Sequence, residues 1–183
     1  MRNLFFIALF GILCSTAWSG ETISGPSKQN PLPKPLQKAV IPWFVARDST
    51  GDAAFSLNDL KKAIKPDTKR VVFAYFATWC PPCREGTVRL RDAVPLLKEN
   101  GVQVFLINAG EKDKELVLKW VEKYATKDWT LIFDTFGQIT AKYGLAPNDA
   151  PMSLPQTLLL DQNLKPLLLL GAEGDDWPQI LWE

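Results

Sequence analysis

Val71-Val72-Phe73-Ala74-Tyr75-Phe76-Ala77 runs without a polar interruption into Thr78-Trp79-Cys80-Pro81-Pro82-Cys83. An unbroken apolar run of this length predicts a strand covered on both faces, which is how a central parallel strand reads. The two prolines predict a helix start, because the N–H that proline lacks has no partner in the first turn anyway. The cysteine pair thus falls where a buried strand turns into a helix. A helix N-terminus carries unpaired N–H groups and about half a positive charge, so a thiol there ionises more readily, and the thiolate is the attacking species. Two intervening residues bring both sulfurs within bonding distance. Cys80, nearer the helix end, is read as the nucleophile, and Cys83, one turn further in, as the resolving thiol. An inert bridge is the weaker reading, since closing so small a loop removes little chain entropy. A metal pair lacks two further ligands.

Composition narrows the chemistry. The 183 residues contain 21 Lys and Arg, 20 Asp and Glu, and no His. A net charge of +1 provides no basic field for nucleic acid. Without imidazole, Ser/His and Cys/His catalysis are excluded and a zinc site is not expected. No cofactor is expected either. At 46% hydrophobic and 22% charged the chain suits one domain with a short appendage.

Around the motif the elements alternate. Pro81 to Lys98 predicts a helix, kinked or divided at Pro95, and Val102–Ile107 the next buried strand, which makes a right-handed βαβ unit. Before it, Trp43–Arg47 and Ala54–Leu57 flank the turn Asp48-Ser49-Thr50-Gly51-Asp52 as a hairpin, and Asn58 caps a short helix, Asp59–Ile64. After it come an amphipathic helix Asp113–Tyr124, a strand Thr130–Phe133 and a short helix Thr135–Tyr143. Thr157–Leu160 and Leu167–Leu170 form an antiparallel hairpin, and Trp177–Trp182 a terminal helix.

The N-terminal segment has a different character. Met1-Arg2, the apolar run Leu4 to Leu13 and the small residues of Ser15 to Ser19 predict a signal peptide over 1–19, cleaved after Ala17 or Ser19. The alternative is an uncleaved anchor, though the run is short for a membrane span. Cys14, preceded by Leu13, falls in that segment, which leaves Cys80 and Cys83 as the only cysteines of an exported chain. Residues 20–42, rich in proline, predict an extended linker or surface-hugging arm, and 43–183 the domain.

Phe76-Ala77-Thr78-Trp79-Cys80-Pro81-Pro82-Cys83-Arg84-Glu85 resembles the active-site stretch of the TlpA/ResA-type thioredoxin-like thiol-disulfide oxidoreductases. Ile107-Asn108-Ala109-Gly110-Glu111, Phe133-Asp134, Tyr143-Gly144 and Leu154-Pro155-Gln156-Thr157-Leu158-Leu159-Leu160-Asp161 agree in order. The resemblance, over roughly residues 42 to 175, implies an α/β thioredoxin fold. That is a central mixed sheet with a parallel βαβ half and an antiparallel C-terminal hairpin, helices on both faces, and an N-terminal β-hairpin extension. It implies export and exchange with protein thiols and disulfides outside the cytoplasm, often in cytochrome c maturation, with electrons from a membrane thiol-transfer protein. Pro155 matches the family's cis-proline, so Trp79, Pro81, Leu154 and Pro155 are the expected substrate contacts, the Leu154 backbone pairing with an extended segment.

The chain also departs from the family. Ala74 stands where thioredoxins bury an acid, and Gly86 where ResA-like members carry a Glu. Glu85 and Arg84 read as solvated surface, Glu111 as an alternative proton relay, and Ala146 to Pro151 as an inserted loop beside the site. Three other functions share the motif: a disulfide-forming oxidase, a thiol peroxidase and a non-catalytic binding module. The peroxidase expects a Thr three residues before the reactive cysteine, where Ala77 stands.

Overall fold

The computed structural model describes residues 25–146 and 151–183. The apolar run is β4 (Arg70–Phe76), buried along nearly its whole length at the middle of an eight-stranded sheet. On one side it pairs in parallel with β5 (Val102–Asn108), Phe73 opposite Phe105, and β6 (Thr130–Phe133) continues the parallel set. On the other it pairs antiparallel with β7 (Gln156–Asp161), Phe73 opposite Leu158, and β8 (Pro166–Ala172) follows. The hairpin of β2 (Val45–Arg47) and β3 (Ala54–Ser56) joins the β6 edge through Arg47 opposite Phe133. At the far edge β1 (Lys28–Asn30) pairs with β8, which completes the order β1-β8-β7-β4-β5-β6-β2-β3.

Strand alternation divides the core into two layers. Val71, Phe73 and Tyr75 of β4 face a cluster with Leu57 and Leu60 of α1 (Leu57–Ala63) and Ile139 and Tyr143 of α5 (Gln138–Tyr143). Val72, Ala74 and Phe76 face the opposite cluster. It holds Cys83 and Leu90 of α2 (Pro81–Asp92), Leu97 of α3 (Val94–Glu99), and Val117 and Trp120 of α4 (Lys114–Tyr124). Helices thus cover both faces, as the fold class expected from the sequence requires.

Several boundaries differ for local reasons. The helix expected from Pro81 to Lys98, kinked or divided at Pro95, is indeed divided and differs only in its ends: two helices are parted at Ala93, because Pro95 has no N–H to continue the first and instead occupies the first turn of the second. The cap of α1 is Ser56 rather than Asn58: its hydroxyl accepts from the Asp59 N–H while the Asp59 carboxylate accepts from the Ser56 N–H. Helix α5 starts at Gln138 rather than Thr135, because the buried Asp134 carboxylate accepts from the N–H groups of Ile139 and Thr140. The C-terminal helix is a single 3-10 turn, Gln179–Leu181.

The linker expected over 20–42 is corrected across its described part. Residues 28–30 form β1, Lys34–Leu36 make a 3-10 turn, and Leu36 and Ile41 are buried in the core. Prolines still shape this arm, but its apolar side chains pack, so residues 25–42 belong to the domain and its boundary does not fall at 43. The signal peptide expected over 1–19 lies outside the described residues, as do residues 147–150 of the inserted loop. Among the described residues no helix is long and apolar enough to cross a membrane.

Candidate active site

β4 ends at Phe76 in the middle of the sheet, and Ala77-Thr78-Trp79 turns the chain into α2. Cys80 is the N-cap of that helix, its N–H bonded to the Ala77 carbonyl at 3.1 Å and its carbonyl accepting from Arg84 at 3.2 Å. The Cys80 sulfur accepts from the Cys83 N–H at 3.2 Å, so an otherwise unpaired N–H of the first turn points at it. Cys80 and Cys83 are joined as a disulfide, Cα to Cα 5.3 Å, and both are buried, at 4% and 3% exposure. The pair sits where the sequence predicts it, at a strand-to-helix turn with the N-terminal field of α2 on the first sulfur.

Leu154 and Trp79 line one open groove of about 410 Å³, with Gly110, Phe136 and Met152 along its walls. Leu154 packs against both core clusters, including the one that contains the cysteines, and the Leu154–Pro155 peptide is cis. Trp79, which precedes Cys80 in the chain, and Leu154 thus share one groove, and Pro155 follows Leu154 as a buried residue. Pro81 is exposed at the start of α2 and does not line the groove. Trp79 and Phe136 leave 67% and 72% of their surface open on the groove walls and form an exposed apolar lip.

A carboxylate fixes the loop in front of the cysteines. Glu111 accepts from the Thr78 N–H at 2.8 Å, from the Thr78 hydroxyl at 2.5 Å and from the Asn108 side-chain amide at 2.7 Å. Three donors occupy it, so its place is to hold the loop, not to relay a proton as the sequence alone suggested. Arg84 and Glu85 are exposed, as expected.

Sequence reading missed Glu173. It follows β8 and is 7% exposed, its Oε1 accepting the Thr157 hydroxyl at 3.4 Å. Burial pushes its carboxyl up to about 7, against the opposing pull of Arg89 and of the Thr157 hydrogen bond. The available signal was a lone acid in Gly171-Ala172-Glu173-Gly174, directly after an apolar strand, but nothing local says that it turns inward.

The sequence profile of the AhpC/TSA family matches residues 38–165. The protein named thiol-disulfide oxidoreductase ResA from Bacillus thuringiensis subsp. konkukian is 31% identical over 132 residues, covering 72% of this chain and 68% of that protein. Its namesake from Geobacillus thermodenitrificans is 30% identical over 97 residues, 53% of this chain, and the match spans about half (51%) of that relative's length. Among solved structures, a protein assigned as thiol:disulfide interchange protein DsbE from Chlorobium tepidum superposes with a TM-score of 0.58 at 26% identity, covering 78% of this chain and 88% of that one. On the family match and this identity, the chain belongs to the AhpC/TSA family and, in it, to the thioredoxin-like thiol-disulfide oxidoreductases of the ResA type.

Proposed function

We propose that this protein is an exported reductase of protein disulfides, in which Cys80 attacks the partner and Cys83 releases it. One observation carries the reading: the Cys80–Cys83 bridge lies at the N-terminus of α2 beside an open apolar groove. The helix end stabilises the Cys80 thiolate over the thiol, so the first sulfur is the better nucleophile and the better leaving group. The Cys83 backbone N–H, already directed at that sulfur, adds a hydrogen bond to the anion.

Trp79 and Leu154 receive the partner segment along the groove, with Pro155 behind Leu154 and Pro81 at the rim of the helix. A partner cysteine approaching there meets Cys80 first. Export rests on the N-terminal pattern of residues 1–19, and the relatives' names support exchange with protein thiols. Apocytochrome c is one candidate substrate among exported proteins, with a membrane thiol-transfer protein as electron donor.

The test is a trap. With Cys83 replaced by Ser, Cys80 accumulates mixed disulfides in cells, and mass spectrometry identifies the partners; an empty trap overturns the assignment of the two roles. Equilibration with glutathione fixes direction, and a potential near about −120 mV, that of a strong oxidant, overturns the reductase reading.

A further inference from the structure

Glu173 rests on the active-site helix. A Cβ built on Gly86 would fall 1.6 Å from its Oε2, so the carboxyl fills the space that any larger residue at 86 would take. Gly86 lies one turn beyond Cys83, which puts the two positions on one face of α2. That face is turned to the sheet, where Thr157 of β7, opposite Ala74 of β4, holds the other carboxyl oxygen. The carboxyl is thus enclosed by the helix that carries Cys83 and the strand that follows Pro155.

Stability does not account for it. Oε2 has no hydrogen-bond partner among the described residues. Arg89, the one cation among the described residues whose field reaches the group, directs its guanidinium at the carbonyls of Glu173 and Gly174, at 3.3 and 3.1 Å, not at the carboxylate. The Trp177 indole N–H donates to the Gly86 carbonyl at 3.3 Å, and Asp175 and Asp176 accept from the N–H groups of Gly25 and Ser27. These contacts clamp the backbone around an acid that is left half-satisfied, an arrangement that costs free energy unless the group has work to do. Cys83 has a matching need. It is buried and must lose a proton before it can attack.

We propose that Glu173 is the acid–base partner of Cys83, taking the thiol proton as the resolving step begins and releasing it afterwards. This rests on the exchange reaction proposed above. The Cys80 thiolate bonds one sulfur of a partner disulfide, the partner S–S bond breaks, and the departing thiolate is protonated from solvent. Cys83 then passes its proton to Glu173 and bonds the Cys80 sulfur. The Cys80–partner bond breaks and the second partner thiolate leaves. Glu173 returns its proton to solvent, which protonates that thiolate. Two electrons pass to the partner, and Cys80 and Cys83 are left as the bridge. Burial keeps the carboxyl proton exchangeable near neutrality, the range in which such a group works best.

Stopped-flow mixing of the reduced protein with one equivalent of dithiobis(nitrobenzoate) separates the steps. The first thionitrobenzoate released reports attack by Cys80 and the second reports closure by Cys83. In Glu173→Gln the first phase keeps its rate, whereas the second slows on the order of 100-fold at pH 7 and loses its inflection near pH 7. A second phase of unchanged rate, or one slowed with its inflection intact, overturns the proposal. The double variant Gly86→Glu/Glu173→Ala grows a carboxyl from the helix into the same space and restores a fast second phase with an inflection. Should Glu173→Gln not fold, that double variant decides alone, and a slow phase without inflection counts against the proposal. Loss of the first phase in the unaltered protein would instead sink the exchange reading beneath it.

Discussion

The Glu111 carboxylate grips Thr78 twice, at the backbone N–H and at the hydroxyl, two residues ahead of Cys80. Asn108, itself fully buried at the end of β5, holds the same carboxylate from the other side. The loop that presents Trp79 is therefore tied to the neighbouring strand as well as to its own helix. Replacing Glu111 with Ala leaves these donors without an acceptor and is expected to cost about 1–3 kcal/mol in urea unfolding. Because the loop positions Cys80, the first exchange phase should slow roughly tenfold, and Glu111→Gln should recover part of both losses.

That tie shows where local reading stops. Val71 to Ala77 announced a central strand because every residue was apolar, and Pro81-Pro82 announced a helix start, so the position of the cysteine pair was legible from adjacent residues. The groove was legible in part, through Trp79 and Leu154. Glu111 was visible only as an acid in a loop, and its role depends on β5 pairing in parallel with β4 so that Asn108 ends beside Phe76. Glu173 is further removed, since its neighbours Gly86 and Thr157 lie 87 and 16 residues away in the chain. The arm at 25–42 read as a linker because its prolines were counted and its packing partners, far along the chain at β8, were not.

Burial of Glu173 makes stability depend on pH with a definite sign. Its folded carboxyl titrates at about 7 against an ordinary 4.5. Below about pH 4.5 it is protonated in both states and carries no penalty. As pH rises from there to 7 the unfolded chain ionises first and gains, and above 7 the penalty is complete. Glu173→Gln removes that dependence. Relative to the unaltered protein it should gain on the order of 3 kcal/mol between pH 4 and pH 8. Denaturant titrations of the two proteins across that range check it, and parallel curves would contradict it.

The contact between Gly86 and Glu173 predicts coupling. Gly86→Ala drives a methyl into the carboxyl oxygen at a site already closed by Trp177 and Thr157, and overpacking of this kind costs about 1–3 kcal/mol. Glu173→Ala removes the obstacle. In the double variant the alanine at 86 should be tolerated or even favoured, since it ends glycine's entropic cost within a helix. The interaction energy from the four unfolding curves should therefore be at least about 1 kcal/mol, whereas simple additivity would mean that the carboxyl moves aside without strain.

Trp79 separates binding from chemistry. With 67% of its surface exposed beside a disulfide that is itself buried, it contributes little to the core. Trp79→Ala is accordingly expected to leave stability within about 0.5 kcal/mol. Its ring forms one lip of the groove that Leu154 and Phe136 continue, so a peptide lying there loses an aromatic contact worth about 1–2 kcal/mol. Reduction of a folded protein disulfide should then show a KM raised roughly tenfold with kcat little changed. Exchange with dithiobis(nitrobenzoate), which needs no extended groove, should proceed at the original rate. Equal losses toward both substrates would place Trp79 in the thiol chemistry itself and remove the groove from substrate recognition.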